Sequence, residues 1–380
     1  MTIVLAIIFG ILLLGFLIFV HEAGHFFSAK FFNVKVEEFG FGFPPRIWGK
    51  KKGETIYSIN AIPAGGFVRL FGEDGDKTNQ PRSFSAKGPW VRAAIIVAGV
   101  VMNLLIAFLL FTALLASNGF RTDIPLSIPT SGQTLNIDFP FGQQENKAMV
   151  SFIFADSPAE KSRLQSLDEV IAVNGEDVSS IAQLQQIVKT SEGEELDFQV
   201  YNLLDRSTRN VEVIPEKNSE GDVVIGVSLD AVKQIRYSRP LDKIFVGPFH
   251  STNMLIYQGT AVWSLFSKAF EEGSAQPVTT TVSGPVGIAA LLGTFVGVTG
   301  IRGVWVLVET IALISLILAV INVLPIPALD GGRLFFSVIE GLTGKKVNPN
   351  IERLIHTTGF AVLIVLFLLI TYNDISKFFS

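Results

Sequence analysis

The sequence predicts a polytopic α-helical membrane protein with about four transmembrane helices, one inserted extracytoplasmic α+β domain and a cytoplasmic, membrane-associated β-hairpin. Three observations support this class. The 380 residues include 32 Phe and have a mean hydropathy of +0.46, which is far too apolar for an ordinary soluble protein of this length. Four long apolar stretches recur along the chain. The polar segments between them differ systematically in charge, as expected for loops on opposite sides of a membrane.

The apolar stretches predict the spans in order. Residues 3–20 are all apolar or Gly, and as a helix they cover roughly 27 Å, nearly the thickness of a bilayer's hydrocarbon core. We expect this first helix to occupy residues 1–32. The second, third and fourth spans are predicted at 90–117, 301–332 and 356–373. Each is close to or above the length that a spanning helix needs.

The distribution of basic residues predicts the orientation. Loop 33–89 carries nine Lys and Arg, and loop 333–355 carries four, so both should be cytoplasmic. Segment 118–240 carries 19 acidic and 11 basic residues and should lie outside. The chain is therefore expected to be a multi-pass protein, in contact with the lipid bilayer and with both termini outside. It has no basic cluster with interleaved aromatic residues, so nucleic acid is not an expected partner.

The cytoplasmic loop contains a candidate substrate-binding element. Residues 57–62 alternate like a strand and end at Pro63, and Gly65-Gly66 begins a return strand to Leu70. An exposed edge in 55–72 could pair with an extended peptide as an added strand. The candidate substrate-binding residues of this loop are Tyr57, Ser58, Ile59 and Asn60.

The outer region, 118–239, contains an α+β module over about 146–215. Strands are predicted at 150–154, 168–175, 196–201 and 211–214, with a short helix from Ser157 and a helix over 181–189. This order resembles a PDZ domain of the bacterial type. Two glycines usual around the short helix are replaced by Arg163 and Leu167. A peptide-binding groove, a spacer and a size filter all remain open as roles.

Residues 240–300 complete the outer region. The aromatic, amphipathic stretch 240–272 is expected to form one or two helices. They either lie on the outer membrane surface or pack against the soluble domain. The short, Gly-rich stretch 284–300 is expected to be re-entrant or interfacial.

The strongest chemical signal is the His21-Glu22-Ala23-Gly24-His25 motif at the end of the first apolar run. The spacing puts two imidazoles on one face of a helix, where both can bind one zinc ion, and Glu22 can act on a zinc-bound water. Two of the four histidines in the chain belong to this motif. Ionisable residues inside a membrane span are costly and usually functional.

The candidate third ligand is Asp330. A hydrolytic zinc site needs three protein ligands and an open position, and a chain without Cys must use His or carboxylate. Asp330 ends an otherwise uncharged run at a depth similar to that of the His pair, and Pro325 and Pro327 break the helix before it. A helix cap or an interfacial anchor is the simpler alternative for this residue.

These pieces together resemble the site-2 proteases, which are intramembrane zinc metalloproteases, and most closely the bacterial regulator-of-sigma-E protease type. Further matches are the Gly99-x-x-x-Asn103 motif, Ser283–Gly287, and Asn322 through Gly331. The resemblance implies that His21, His25 and Asp330 bind Zn²⁺ and that Glu22 is the catalytic base. It implies that Asn322 handles substrate, and Asn103 is a further candidate substrate-binding residue.

The resemblance therefore implies a zinc-dependent endopeptidase of regulated intramembrane proteolysis in a bacterial inner membrane. The same resemblance implies its partners, which are a single-span membrane protein, of the kind of an anti-sigma factor or a signal-peptide remnant, and an upstream site-1-type protease that trims it first. One alternative is a membrane zinc peptidase acting on soluble or unfolded chains, with a downstream Glu as third ligand. The other is a non-catalytic membrane scaffold that presents a PDZ domain.

Overall fold

The computed structural model of the chain describes residues 2–73, 80–128, 133–203, 207–274, 276, 284, 287 and 301–376. The fold divides into two compact units. Unit 1 comprises residues 1–114 and 282–380, and unit 2 comprises residues 115–281.

Helices and strands are numbered here in chain order. The helices are α1 (Thr2–Phe31), α2 (Pro89–Ser117), α3 (Pro158–Lys161), α4 (Ile181–Thr190), α5 (Pro240–Ile244), α6 (Val246–Glu272), α7 (Ile301–Val323), α8 (Asp330–Thr343) and α9 (Pro349–Ser376). The strands are β1 (Val36–Lys52), β2 (Thr55–Leu70), β3 (Arg121–Pro125), β4 (Ser127–Ile128), β5 (Gln133–Thr134), β6 (Gln143–Ile153), β7 (Asp168–Val173), β8 (Glu176–Asp177), β9 (Leu196–Asn202), β10 (Thr208–Val213), β11 (Glu216–Lys217), β12 (Val223–Val224) and β13 (Val227–Arg236).

Within the described residues, four helices are long and apolar enough to cross a membrane. These segments are Ile8–Phe31 of α1, Pro89–Ser117 of α2, Gly303–Val323 of α7 and Asn350–Ser376 of α9. The chain is therefore a polytopic membrane protein, as predicted. Between α7 and α9 the structure has α8, where the sequence predicts a cytoplasmic loop. It ends at Gly344, whose φ of +70° provides a left-handed C-cap.

The β-structure of unit 1 differs from the predicted hairpin. The two predicted strands, 57–62 and 65–70, do not pair with each other. Both belong to the long strand β2, which bends between them, and each pairs with β1, the partner across the turn at Gly53. Segment Glu38–Phe41 of β1 lies between the two arms of β2. The local turn signal at Gly65-Gly66 was outweighed by pairing with a strand that sequence periodicity does not reveal.

This arrangement corrects the prediction that 57–60 is an edge strand. Tyr57, Ser58 and Ile59 each have a partner in Glu38–Phe41 on one side and in Trp48–Lys51 on the other. The segment is therefore a central strand, and its backbone donors and acceptors face neighbours on both sides. The second arm of β2, residues 67–70, pairs on one side only and is a sheet edge.

Hydrogen bonds between charged side chains connect the two arms of the sheet and connect its turn to α1. The buried carboxylate of Glu38 accepts hydrogen bonds from Arg46 at 2.7 Å and from Arg69 at 2.8 Å, so it links both arms of the sheet. Glu54, at the hairpin turn, accepts from Arg82 and from Lys30 at the end of α1, and these bonds lower its pKa to about 2. Glu54 thus stays ionised and fixes the turn beside the helix.

Unit 2 is built on one sheet with strand order β10-β9-β7-β6-β13-β3, and β8 pairs with β7. Helices α3 and α4 contribute Ala159, Leu184 and Val188 to its apolar core. Arg163 and Leu167 have φ values of +64° and +67°, so they keep a backbone conformation that glycine adopts most easily. The residues that stand at the two glycine positions therefore adopt the left-handed backbone without glycine.

Helix α6 has features of both arrangements predicted for 240–272, packing against the soluble domain and exposure of an apolar surface. Its first half packs within unit 2, where Phe249 stacks on Phe141 with ring centroids 4.1 Å apart and Asn253 donates to the Phe141 carbonyl. His250 is fully buried there beside Tyr237, and burial lowers its pKa to about 4. The second half of α6 exposes large apolar residues, namely Val262, Trp263, Phe266 and Phe270. The predicted segment 284–300 lies outside the described residues, except for Gly284 and Gly287.

Candidate metal centre

Two histidines and one aspartate converge inside unit 1. His21 and His25 lie one turn apart on α1 and are both buried, with 5% and 7% exposure. The Oδ2 atom of Asp330 lies 2.7 Å from His21 Nε2 and 3.0 Å from His25 Nε2, and the two Nε2 atoms are 3.2 Å apart. The fold thus brings together residues that are 309 positions apart in the chain.

The helix break before Asp330 places its carboxylate. Helix α7 ends at Val323 and α8 begins at Asp330, and the two prolines lie in the six residues between them. The glycines after Asp330 allow α8 to approach this segment closely. A Cβ on Gly331 would lie 1.8 Å from the Leu324 carbonyl oxygen, so glycine is required there.

His356 of α9 also holds this segment. Its Nδ1 atom accepts a hydrogen bond from the backbone N–H of Ala328 at 3.0 Å. Ala328 has a φ of +76°, a conformation that is uncommon for residues other than glycine and that needs support from its surroundings. His356 had no predicted role. Its contact is with a residue 28 positions earlier, and no local sequence pattern reveals such a contact.

The ring nitrogens that face away from Asp330 have their own partners. His25 Nδ1 lies 2.9 Å from the carbonyl oxygen of Ile95, which can only accept, so this nitrogen carries the proton and Nε2 has a free lone pair. His21 Nδ1 lies 3.3 Å from the side-chain amide of Asn103. Such outer partners fix the tautomer and the orientation of a metal-binding imidazole.

Glu22 lies beside the convergent atoms. Its carboxylate is within 4.8 Å of the ligand atoms of both histidines. Oxygen Oε2 accepts a hydrogen bond at 3.1 Å from the backbone N–H of Val68, on the edge of β2 that pairs with no other strand. The sheet edge and the candidate base are therefore in direct contact.

The residues present fit a zinc ion. A triangle of two nitrogens and one oxygen with edges of 2.7 to 3.2 Å allows an ion at roughly 2.0–2.1 Å from every corner, the usual distance for zinc. Gly99 of α2 leaves room beside this triangle. A Cβ at Gly99 would lie 2.5 Å from His25 Nε2 and 2.7 Å from His21 Nε2. Two His and one carboxylate also match the ligand set of catalytic zinc sites.

The structure locates the other predicted site residues as follows. Asn322 is half-buried on the last turn of α7. Asn103 is fully buried beside His21, and Ser58 and Asn60 are buried in the sheet, where Asn60 donates to the Gly42 carbonyl at 3.0 Å. Ile59 is 49% exposed. The roles of these residues in substrate binding stay predictions.

Comparison with known proteins agrees with this geometry. The sequence profile of peptidase family M50 matches residues 9–366. The chain belongs to peptidase family M50. A protein of Clostridium acetobutylicum, whose name assigns it provisionally to the zinc metalloproteases, is 33% identical over 97% of this chain and 97% of its own length. The zinc metalloprotease RasP of Geobacillus kaustophilus is 27% identical over 98% of both chains.

Among solved structures, the PDZ domain of an SdrC-like protein from Listeria monocytogenes covers 24% of this M50 peptidase, with 14% identity and a TM-score of 0.20. Membership in M50 confirms the predicted resemblance to the site-2 proteases. It confirms that the protein is a zinc-dependent metalloendopeptidase and a multi-pass membrane protein. The alternative of a non-catalytic scaffold is wrong.

Proposed function

We propose that this M50 peptidase cleaves the membrane span of a single-span protein within the bilayer, as a step of regulated intramembrane proteolysis. The observation that carries the proposal is the convergence of His21, His25 and Asp330 beside Glu22, with the His pair on a helix apolar enough to span. Hydrolytic chemistry at that depth acts on peptide bonds that water does not reach unaided. We propose His21, His25 and Asp330 as the zinc ligands.

Each step of the reaction is assigned to particular residues of the chain. Zinc, when bound, lowers the pKa of a water and polarises the scissile carbonyl. Glu22 takes the proton from the attacking water and delivers it to the leaving amine. The Val68 N–H holds one oxygen of the Glu22 carboxylate and leaves the other for the water. The His25 ring is fixed by Ile95, so its Nε2 lone pair stays directed at the ligand position.

The substrate is proposed to bind along the second arm of β2. A helical peptide bond is shielded, so the substrate span must unwind before cleavage, and an extended chain can add to a free sheet edge. Residues 67–70 have no strand on their second side, where the Val68 N–H donates to Glu22 and the Leu70 N–H donates to Glu73. A chain paired there would pass directly beside the candidate base. This replaces 57–60 as the proposed pairing strand.

Disulfide trapping distinguishes the two arms of β2. In this Cys-free chain, Phe67→Cys on the edge strand should cross-link efficiently to a single Cys in the substrate span. The exposed Lys50→Cys, on the opposite side of the sheet, is the matched control and should not. The Glu22→Gln background prevents turnover during trapping. Cross-linking of Ile59→Cys in preference to Phe67→Cys would contradict edge pairing and favour contact with the central strand.

The orientation of the chain is part of the proposal. Basic loops 33–89 and 333–355 support a cytoplasmic location for the sheet and for the C-terminal part of α1, which carries the two histidines. The acidic unit 2 and both termini are then outside. An impermeant thiol reagent added to intact cells should label Asp222→Cys and spare Lys51→Cys, both of which are exposed positions. Labelling of residue 51 from outside would overturn the orientation.

Unit 2 is proposed to be a PDZ-like domain that controls access of substrates already trimmed by an upstream protease. A groove of about 770 Å³ lies beside α4, with Leu184, Val188 and Ile225 among its apolar walls and Lys189 at its rim. Arg163 and Leu167 have the left-handed backbone expected of the glycines usual at these positions, which also supports a groove of the PDZ type. Peptide binding is therefore a better supported role for this domain than the sequence alone indicated.

Reconstitution tests the proposed function directly. Purified protein and a trimmed single-span substrate in proteoliposomes should yield products whose new ends lie inside the span. The alternative function is cleavage of soluble or unfolded chains. A peptidase with that function would cut in polar segments instead. An untrimmed version of the same substrate should be cut far less. Equal cutting of both versions would contradict the requirement for prior trimming.

A further inference from the structure

Asn103 is a fully buried amide in the middle of a membrane-spanning helix. It lies one turn after Gly99 on α2, and its exposure is 0%. An amide buried in an apolar span costs free energy unless it finds polar partners. The partner of its side chain is a ring nitrogen of His21, at 3.3 Å. The Asn103 amide therefore makes a specific polar contact beside the candidate metal centre.

The ring chemistry of His21 defines that task. Its Nε2 atom is the one that faces Asp330 and His25, so this nitrogen needs a free lone pair to bind a metal. The ring proton is then on Nδ1 and needs an acceptor. His25 meets the same requirement with the Ile95 carbonyl. For His21, the group at Nδ1 is the Asn103 amide.

The amide can supply an acceptor by rotation about its Cβ–Cγ bond. Its Nδ2 atom faces the ring, and its Oδ1 atom is buried without a hydrogen-bond partner. A half-turn exchanges the two atoms, and Oδ1 then accepts from His21 Nδ1–H. One buried amide atom lacks a partner in either orientation. The zinc-binding tautomer of His21 therefore decides which orientation is favoured.

The backbone of Asn103 is itself anchored. Ser315 of α7 is fully buried and donates its hydroxyl to the Asn103 carbonyl at 2.9 Å. The bond joins α2 to α7, the helix that leads towards Asp330. The amide is thus held at a fixed place relative to the ring it contacts. This is the arrangement expected of an outer partner that orients a metal ligand.

We propose that Asn103 is a positioning residue that accepts a hydrogen bond from His21 Nδ1–H and holds Nε2 towards zinc. The inference rests on the proposed role of His21 as a ligand. It differs from the role predicted from sequence, which is contact with substrate. It also gives the Gly99-x-x-x-Asn103 motif one physical meaning, because Gly99 leaves space at the ligand atoms and Asn103 orients one of them.

Zinc affinity of the purified full-length protein, measured by competition with a chelator, tests this role. Asn103→Leu should weaken zinc binding by about 10–100-fold, the usual cost of losing an outer partner. Asn103→Asp retains an acceptor and should bind zinc as the wild type does. Ser315→Ala is the matched control, because it loosens the same helix contact and leaves the amide in place. It should also keep the wild-type affinity.

A spectroscopic readout separates orientation from packing. With Co²⁺ in place of zinc, the visible spectrum of Asn103→Leu should change, whereas those of Asn103→Asp and Ser315→Ala should not. Wild-type zinc affinity in Asn103→Leu would overturn the proposal, and so would equal losses in all three variants. If Asn103→Leu does not fold, Asn103→Ala is judged by the same criteria. Wild-type affinity in His21→Ala would instead refute the ligand assignment on which the inference rests.

Discussion

Glu22→Gln is expected to abolish peptide-bond cleavage in a protein that still folds and binds zinc. The amide keeps the shape of the side chain and can still accept the Val68 N–H, but it cannot take a proton from water. Loss of a general base costs roughly 10²–10⁴ in rate. Cleavage of a trimmed single-span substrate by the purified protein is the measurement.

The matched control is Glu37→Gln, which makes the same chemical change on the half-buried Glu37 of β1, whose partners are Lys35 and Arg69. It should cleave at the wild-type rate. Zinc content and thermal unfolding of both variants should equal those of the wild type. A cleavage rate for Glu22→Gln within tenfold of the wild type would remove Glu22 from the role of base.

Asp330→Ala is expected to weaken zinc binding more than the roughly 10–100-fold that loss of an outer partner costs, because it removes one of three proposed ligands. Cleavage should be lost with the metal. Some binding by His21 and His25 can survive, so affinity rather than occupancy is the quantity to measure. Wild-type affinity in Asp330→Ala would exclude Asp330 from the ligand set.

Glycine substitutions give the same metal site a steric test. Gly99→Ala should also lower zinc affinity, because its Cβ would lie 2.5 Å from His25 Nε2. Gly88→Ala is the control, because a Cβ at Gly88 meets no atom within 4 Å. Equal zinc affinity in the two alanine variants would contradict the position proposed for the metal.

The chemistry of the site could be predicted from sequence because its signals do not depend on contacts between distant residues. His21 and His25 are one helical turn apart, and a charge such as Asp330 at the end of an apolar run is costly without a function. Hydropathy identified the four long helices for a similar reason. Within a bilayer, the backbone must satisfy its own hydrogen bonds, so the solution is nearly always a helix.

The parts that could not be predicted depend on contacts between distant residues. Segment Glu38–Phe41 of β1 lies between the arms of β2, so residues 57–59 are central and 67–70 lie at the edge, and alternation within one strand cannot reveal this. The same holds for Val68 with Glu22 and for His356 with Ala328. Helix α8 was missed although Leu334, Phe335, Val338, Ile339 and Leu342 recur at helical spacing, because the basic residues Arg333, Lys345 and Lys346 at its ends indicate a cytoplasmic loop.

The measurement that tests the central claim most directly is mass spectrometry of the products formed in proteoliposomes from a trimmed single-span substrate. The account predicts new chain ends inside the apolar span, formed by the wild type and absent with Glu22→Gln. It also predicts that a zinc chelator stops their formation and that added zinc restores it. New ends only in polar segments outside the span, or equal cleavage by Glu22→Gln, would contradict intramembrane proteolysis at this site.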